Sequence, residues 1–212
     1  MAIVNNGLLL DFTGRVGNLV FYKNGGKICV REVGRKAAGP ATLLQQQQRM
    51  RIRAVAVFYQ AVREAGLQPG WGYAAEKLPL NAYNLFVHYN VLVFSGDGLI
   101  TDFHQVRLTT GQVPLPERLC LKRVGRDRIE VKWKLTKAYL PDRLTDRLAL
   151  AFMKSPSVYT VHVPEIPPVR RGDCGSGFVL PAEYAAYPHC FCFFKSETSD
   201  EVSRSRYFFL NS

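Results

Sequence analysis

The chain has 212 residues, 47% of them hydrophobic, enough for one large domain or two small ones with ordinary cores, so disorder is not the default expectation. No run reaches the roughly 18 consecutive apolar residues of a membrane helix; the longest candidate, 85–94, is interrupted by His88, Tyr89 and Asn90, which excludes a bilayer-spanning role. A net charge of +11 and a pI near 9.6 favour polyanionic partners, either nucleic acid or an acidic protein surface, and say nothing about the fold.

Residues 1–6 carry no basic region ahead of Leu8-Leu9-Leu10, and three leucines are too short for a signal-peptide core. The expectation is a protein made and kept in the cytoplasm. The next element is a β-hairpin, with strands over 18–23 and 27–32 around Asn24-Gly25-Gly26, residues that accept the positive φ of tight hairpin turns. A basic loop then runs over 34–40. From Leu43 to Ala65 apolar residues recur at helical spacing, with Leu43, Met50, Ala54, Val57, Phe58, Ala61 and Val62 on or near one stripe and Thr42 as the cap. Between Arg35 and Arg63 there are six basic residues and no acidic one.

Residues 66–79, with Pro69-Gly70-Trp71-Gly72-Tyr73, read as a loop whose aromatic pair closes a core, with a contact surface as the alternative. A second helix spans 81–94 behind a cap at Asn81, and a strand is expected over 99–106. The two prolines in 111–116 mark the expected boundary between a hairpin-and-helix region, 1–111, and a β domain, 112–212. In the latter, strands are expected over 118–124, 128–135, 147–153, 159–163, 176–180, 189–195 and 203–210. Seven short strands at this spacing suggest an immunoglobulin- or fibronectin-III-like sandwich, and the fold class is α+β. Ile129, Val131, Trp133 and Leu135 alternate with Glu130, Lys132 and Lys134, which sends the first set to the core, with Trp133 as its anchor, and the second to solvent.

Convergent chemistry is sparse. His88, His104, His162 and His189 are scattered, and Cys190-x-Cys192 lacks the two further ligands of a structural zinc site. The odd set of five cysteines has no framework spacing, so free buried thiols are expected. Gly172 to Gly177 reads as a turn rather than a nucleophile elbow, and Arg171-Gly172-Asp173 matches an adhesion tripeptide that three residues match easily by chance. No cofactor, metal or catalytic residue is assigned, and an enzyme is not expected. The candidate interaction residues are Arg15, Lys23, Lys27, Arg31, Arg35, Lys36, Arg49, Arg53, Lys132 and Lys134. Lys122, Arg123, Arg126 and Arg128 extend the last pair into a second basic strip. Arg51 cannot share a helix face with both Arg49 and Arg53.

The run Gly14-Arg-Val-Gly17-Asn-Leu-Val-Phe-Tyr-Lys-Asn-Gly-Gly-Lys-Ile-Cys-Val-Arg31 resembles the opening of a family of uncharacterised Bacteroides-type proteins. Pro40-Ala41-Thr42-Leu43-Leu44-Gln45 with Arg49, and Ala82-Tyr83-Asn84 with Tyr89-Asn90, are similar to its helical motifs. Leu180-Pro181-Ala182 and the stretch 202–207 resemble its last strands. Gly39, where asparagine is usual, and the strand around Cys190 depart from the pattern. The hairpin with its Pro-x-Thr-x-x-Gln element is also similar to small proteins of phage structural-gene clusters. What the resemblance implies is a structural or assembly subunit of the phage-like kind, with protein partners or self-assembly and incorporation into a virion-like particle; the alternative expectation is a non-specific nucleic-acid-binding protein.

Overall fold

The computed structural model describes residues 2–4, 13–24, 26–34, 39–76, 78–125, 127–135 and 141–210. They fall into two compact units, 1–41 and 42–212.

The first unit is an antiparallel sheet of β1 (Ala2–Val4), β2 (Gly14–Val16), β3 (Leu19–Asn24) and β4 (Lys27–Glu32), in the order β1-β4-β3-β2. The expected hairpin is its centre: Asn24 pairs with Lys27, and Gly26 holds φ +76°, a conformation glycine adopts without steric cost.

The second unit opens with α1 (Leu43–Glu64). Its start is fixed by a capping box, in which the Gln45 amide donates to Thr42 Oγ1 at 3.3 Å and the Thr42 amide donates to Gln45 Oε1 at 3.1 Å. Ala54, Val55, Phe58 and Val62 are its buried residues. Leu43, Met50 and Val57, placed on the apolar stripe by periodicity, are exposed: the core meets this helix only from Ala54 onward, and there along the side of Ala54, Val55, Phe58 and Val62, which Val57 does not share. Residues 68–75, expected as loop, form α2 (Gln68–Ala75) instead. Pro69 sits in its first turn, where a missing N–H costs nothing. Trp71 anchors α2, donating from Nε1 to the Leu108 carbonyl at 2.8 Å and meeting Phe86 edge-on at 5.0 Å. Helix α3 (Ala82–Asn90), capped by Asn81, continues into a single tight turn over 91–93. The strand expected over 99–106 is absent; one bridge, Phe94 to Ile100, stands there.

Two antiparallel sheets follow. One contains β5 (Glu117–Val124), β6 (Arg128–Lys134) and β8 (Gly175–Val179) in the order β5-β6-β8; the other contains β7 (Arg147–Met153), β9 (His189–Lys195) and β10 (Arg206–Phe209) in the order β10-β9-β7. Residues 159–163 form no strand and contribute only the Phe152 to His162 bridge. The sheets face each other across a core that includes Leu121, Ile129, Val131, Trp133 and Phe178 from one side and Leu150, Phe152, Cys190, Cys192 and Phe194 from the other. The opposite face of β7 and β9 supplies Ala151, Met153, Phe191 and Phe193 to a second core shared with all three helices. The unit is therefore three layers: helices, a sheet buried on both faces, and a sheet with one face outward.

The segment expected as an inter-domain linker lies inside this unit. Thr109 donates from Oγ1 to the Ser203 carbonyl at 2.8 Å, the Leu108 amide donates to Ser205 Oγ at 3.0 Å, and Val113 bridges Ser203. Segment 106–113 is thus fastened to the end of the chain, and the helices and sheets share one body.

Candidate interaction surfaces

The outward face of the β5-β6-β8 sheet follows from the alternation along β6. Ile129, Val131 and Trp133 are buried, while Arg128, Lys132 and Lys134 are exposed. The register places Lys122 of β5 opposite Glu130, and Gly177 and Gly175 of β8 opposite Glu130 and Lys132. Lys122, Arg128, Lys132 and Lys134 thus share one open face with Glu130 and with Glu117, which stands opposite Lys134. Lys132 Nζ lies 3.6 Å from Glu130 Oε2, with its side chain 77% exposed, a pair worth about 0–1 kcal/mol at most. Arg123, expected in the same strip, turns to the other side and donates to the Tyr187 carbonyl at 3.1 Å. Arg126 lies outside the described residues.

Along β8 the face carries almost no side-chain relief. A Cβ built on Gly177 would stand 3.2 Å from Nη2 of Arg128, so that guanidinium already lies across the strand. A Cβ on Gly175 would stand 2.6 Å from the Val131 carbonyl oxygen, and φ there is +153°, so only glycine fits the close approach of β8 to β6. The result is a shallow trough lined by Arg128, Glu130, Lys132, Asp173, Gly175 and Gly177.

The other expected cations do not join this face. Arg49 and Arg53, four residues apart on α1, are both exposed and share one side of the helix, whereas Arg51 is half-buried. Within the second unit the helical layer and the β5-β6-β8 sheet lie on opposite faces of the β7-β9-β10 sheet. Arg49 and Arg53 are therefore separated from Lys132 and Lys134 by the thickness of the stack. In the first unit the register sets Arg15 beside Val20 and Val20 beside Arg31. Arg15, Lys27 and Arg31 consequently share one face of that sheet, and Lys23 points from the other. Arg35 and Lys36 lie outside the described residues.

The motifs that suggest chemistry resolve into packing. Arg171 of Arg171-Gly172-Asp173 is fully buried, with Nη2 at 3.1 Å and Nε at 3.2 Å from Oδ2 of buried Asp146. Its guanidinium lies 4.3 Å from the Phe194 ring centroid, and its carbonyl accepts from Trp133 Nε1 at 2.9 Å. Burial pushes the Asp146 carboxyl up, and the guanidiniums of Arg171 and Arg143 oppose that shift. Asp173 turns back to accept from the Arg170 amide at 2.7 Å. The tripeptide is a structural corner, its arginine inaccessible to a receptor. Ser176 pairs with core-facing Val131 and lies on the inner side of β8. Cys190 and Cys192 share the core face of β9, where burial raises both thiols.

His104 and His189 do meet, around Tyr207. His189 Nδ1 is 2.9 Å from Tyr207 Oη and its ring stacks on Phe103 at 3.7 Å, while His104 meets Tyr207 edge-on at 4.7 Å. Burial lowers the pKa of His189; burial and then Asp102 push the Tyr207 phenol up to about 12. Sequence spacing gives no sign of this pairing, since 85 positions separate the two histidines. Among the described residues, no group of three or more histidine, cysteine, aspartate or glutamate side chains could hold a metal ion, and no helix is long and apolar enough to cross a membrane.

Comparison with family models, with curated proteins and with solved structures finds no match for this chain.

Proposed function

We propose that this protein is a scaffold subunit of a larger assembly, and that it docks an acidic protein partner through the outward face of the β5-β6-β8 sheet. The observation that carries this reading is the gathering of Lys122, Arg128, Lys132 and Lys134 on one exposed sheet face. A flat face on which cations outnumber carboxylates steers and orients an oppositely charged surface more than it tightens binding. The strand order supports an immunoglobulin- or fibronectin-III-like sandwich. The sets β5-β6-β8 and β7-β9-β10 correspond to strands A-B-E and C-F-G of that plan, with the fourth strand of the first sheet missing. Such sandwiches serve readily as modules of particles and adhesive complexes, although fold alone assigns no function. The resemblance to phage-type structural proteins points the same way and suggests a virion-like particle.

The test compares binding of fluorescent polyglutamate with that of a single-stranded oligonucleotide of matched charge, for the natural protein and for the Lys132→Glu/Lys134→Glu variant. Preferential binding of polyglutamate, weakened about tenfold or more (about 1.4 kcal/mol) in the variant, is expected. Preference for the oligonucleotide with a steep salt dependence would assign the face to nucleic acid instead, and binding unaffected by the reversal would remove the surface from consideration.

A further inference from the structure

The two edges of the β5-β6-β8 sheet are built differently. Edge strand β5 contains Glu117, Arg118, Lys122 and Arg123, and its register with β6 breaks between Glu117 and Cys120, where Arg118 adopts φ +50°. Charges and a bulge are the usual devices that keep an edge from pairing with another chain. Edge strand β8 reads Gly175-Ser176-Gly177-Phe178-Val179. It has no charge, no proline and no bulge in its pairing with β6.

The direction of its backbone groups follows from two hydrogen bonds that bracket it. The Trp133 amide donates to the Cys174 carbonyl at 3.1 Å, and the Leu180 amide donates to the Asp127 carbonyl at 2.8 Å. In an antiparallel pair the hydrogen-bonded positions alternate, so Ser176 and Phe178 direct their N–H and C=O groups toward β6. Gly175, Gly177 and Val179 direct theirs to the open edge. In the sandwich plan this edge is where the missing strand would pair. The segment that could supply it is committed elsewhere: Pro156 accepts from the Ile100 amide at 3.1 Å, Tyr159 packs edge-on to Phe94, and Val161 lies in the core shared with the helices.

We propose that β8 accepts an extended acidic segment of a partner protein as an added strand, completing the sheet. This rests on the cationic-face reading above and adds the mode of attachment. The added strand would exchange main-chain hydrogen bonds with Gly177 and its neighbours, while its outward side chains lie beside Arg128 and Lys132. Glycine at 177 lets the Arg128 guanidinium reach across β8 toward that strand, so alternating aspartate or glutamate is the complementary pattern. A second copy of this chain does not fit, because antiparallel pairing of two β8 strands would bring Arg128 and Lys132 against their own counterparts.

The probe is a labelled octapeptide of alternating threonine and glutamate, measured by fluorescence anisotropy against the full chain. Gly177→Pro removes an edge-directed N–H without touching the ladder to β6, and Gly177→Ala retains that N–H. Binding is expected to weaken about tenfold or more in Gly177→Pro, the effect of losing a backbone pairing at the centre of a short strand. Gly177→Ala, whose Cβ crowds the Arg128 guanidinium but leaves the N–H in place, should weaken binding clearly less than Gly177→Pro. If Gly177→Pro fails to fold, amide exchange of the natural protein decides, since bound peptide should protect the amides of Gly177 and Val179. Binding that is lost in Lys132→Glu but indifferent to Gly177→Pro, with no protection of those amides, would overturn strand addition and leave the cationic face standing. Failure of the peptide to bind at all would overturn both.

Discussion

Arg171 and Lys132 carry the same charge, yet one is sealed from solvent and the other is 77% exposed. For Lys132 the outcome is legible, because β6 alternates apolar and charged residues and the period fixes the side. For Arg171 it is not, since Arg170, Gly172 and Asp173 around it read as an exposed turn. Its burial depends on Asp146 and Phe194, which are distant in sequence. The cysteines divide along similar lines: Cys29, Cys190 and Cys192 are buried, while Cys120 and Cys174 are exposed. A thiol is reactive as its thiolate, and burial suppresses both access and ionisation. Titration with a disulfide reagent under native conditions is therefore expected to modify Cys120 and Cys174 promptly, with the other three reacting only after denaturant is added. Peptide mapping of the modified protein checks the assignment, and rapid labelling of Cys190 or Cys192 would contradict the packing of β9.

Elements with a strong local signal are the readable ones. The Asn-Gly-Gly hairpin, the Thr42-capped helix and the alternating strand β6 each carry their signal within a few residues. Helix α2 is hidden by Pro69, Gly70 and Gly72, residues that disfavour helices, and its formation depends on Trp71 finding Phe86 and the Leu108 carbonyl. The stretch 159–163 has the composition of a strand, but Tyr159 and Val161 are drawn into the helical core. Gly111 reads as the start of a linker because linkers are rich in glycine and proline. Its physical role is close contact, since a Cβ there would stand 2.1 Å from the Val202 carbonyl oxygen. Gly111→Ala is accordingly expected to cost about 1–3 kcal/mol, the range of overpacked sites, measured as a lowered urea midpoint. A linker glycine would show almost no change.

At the scale of the molecule, strand counting gives a β domain beside a helical region, whereas the structure joins them through a shared middle sheet. The signal for this lies in residues 189–195, His-Cys-Phe-Cys-Phe-Phe-Lys, a continuous apolar run where a sheet with one wet face would alternate. Which layers cover the two faces is beyond sequence alone, because that depends on contacts between distant segments. One consequence is that residues 42–111 lack Met153, Phe191 and Phe193, against which their helices pack. Expressed as a fragment, this stretch is expected to show little helical circular dichroism and no cooperative melting, whereas an autonomous helical domain would show both. The surface cations are easier to list than to group: Arg49 and Arg53 belong to one outer layer and Lys132 and Lys134 to the other, a separation set by topology.

Strand β9 pairs with β7 on one edge and β10 on the other, and both its faces are covered. Its amide protons have no route to deuterated solvent through fraying or local breathing, since any opening must pull apart both flanking ladders and both apolar layers at once. The exchange rate over Cys190–Cys192, where both ladders overlap and the residues are buried, consequently reports the free energy of opening the unit as a whole.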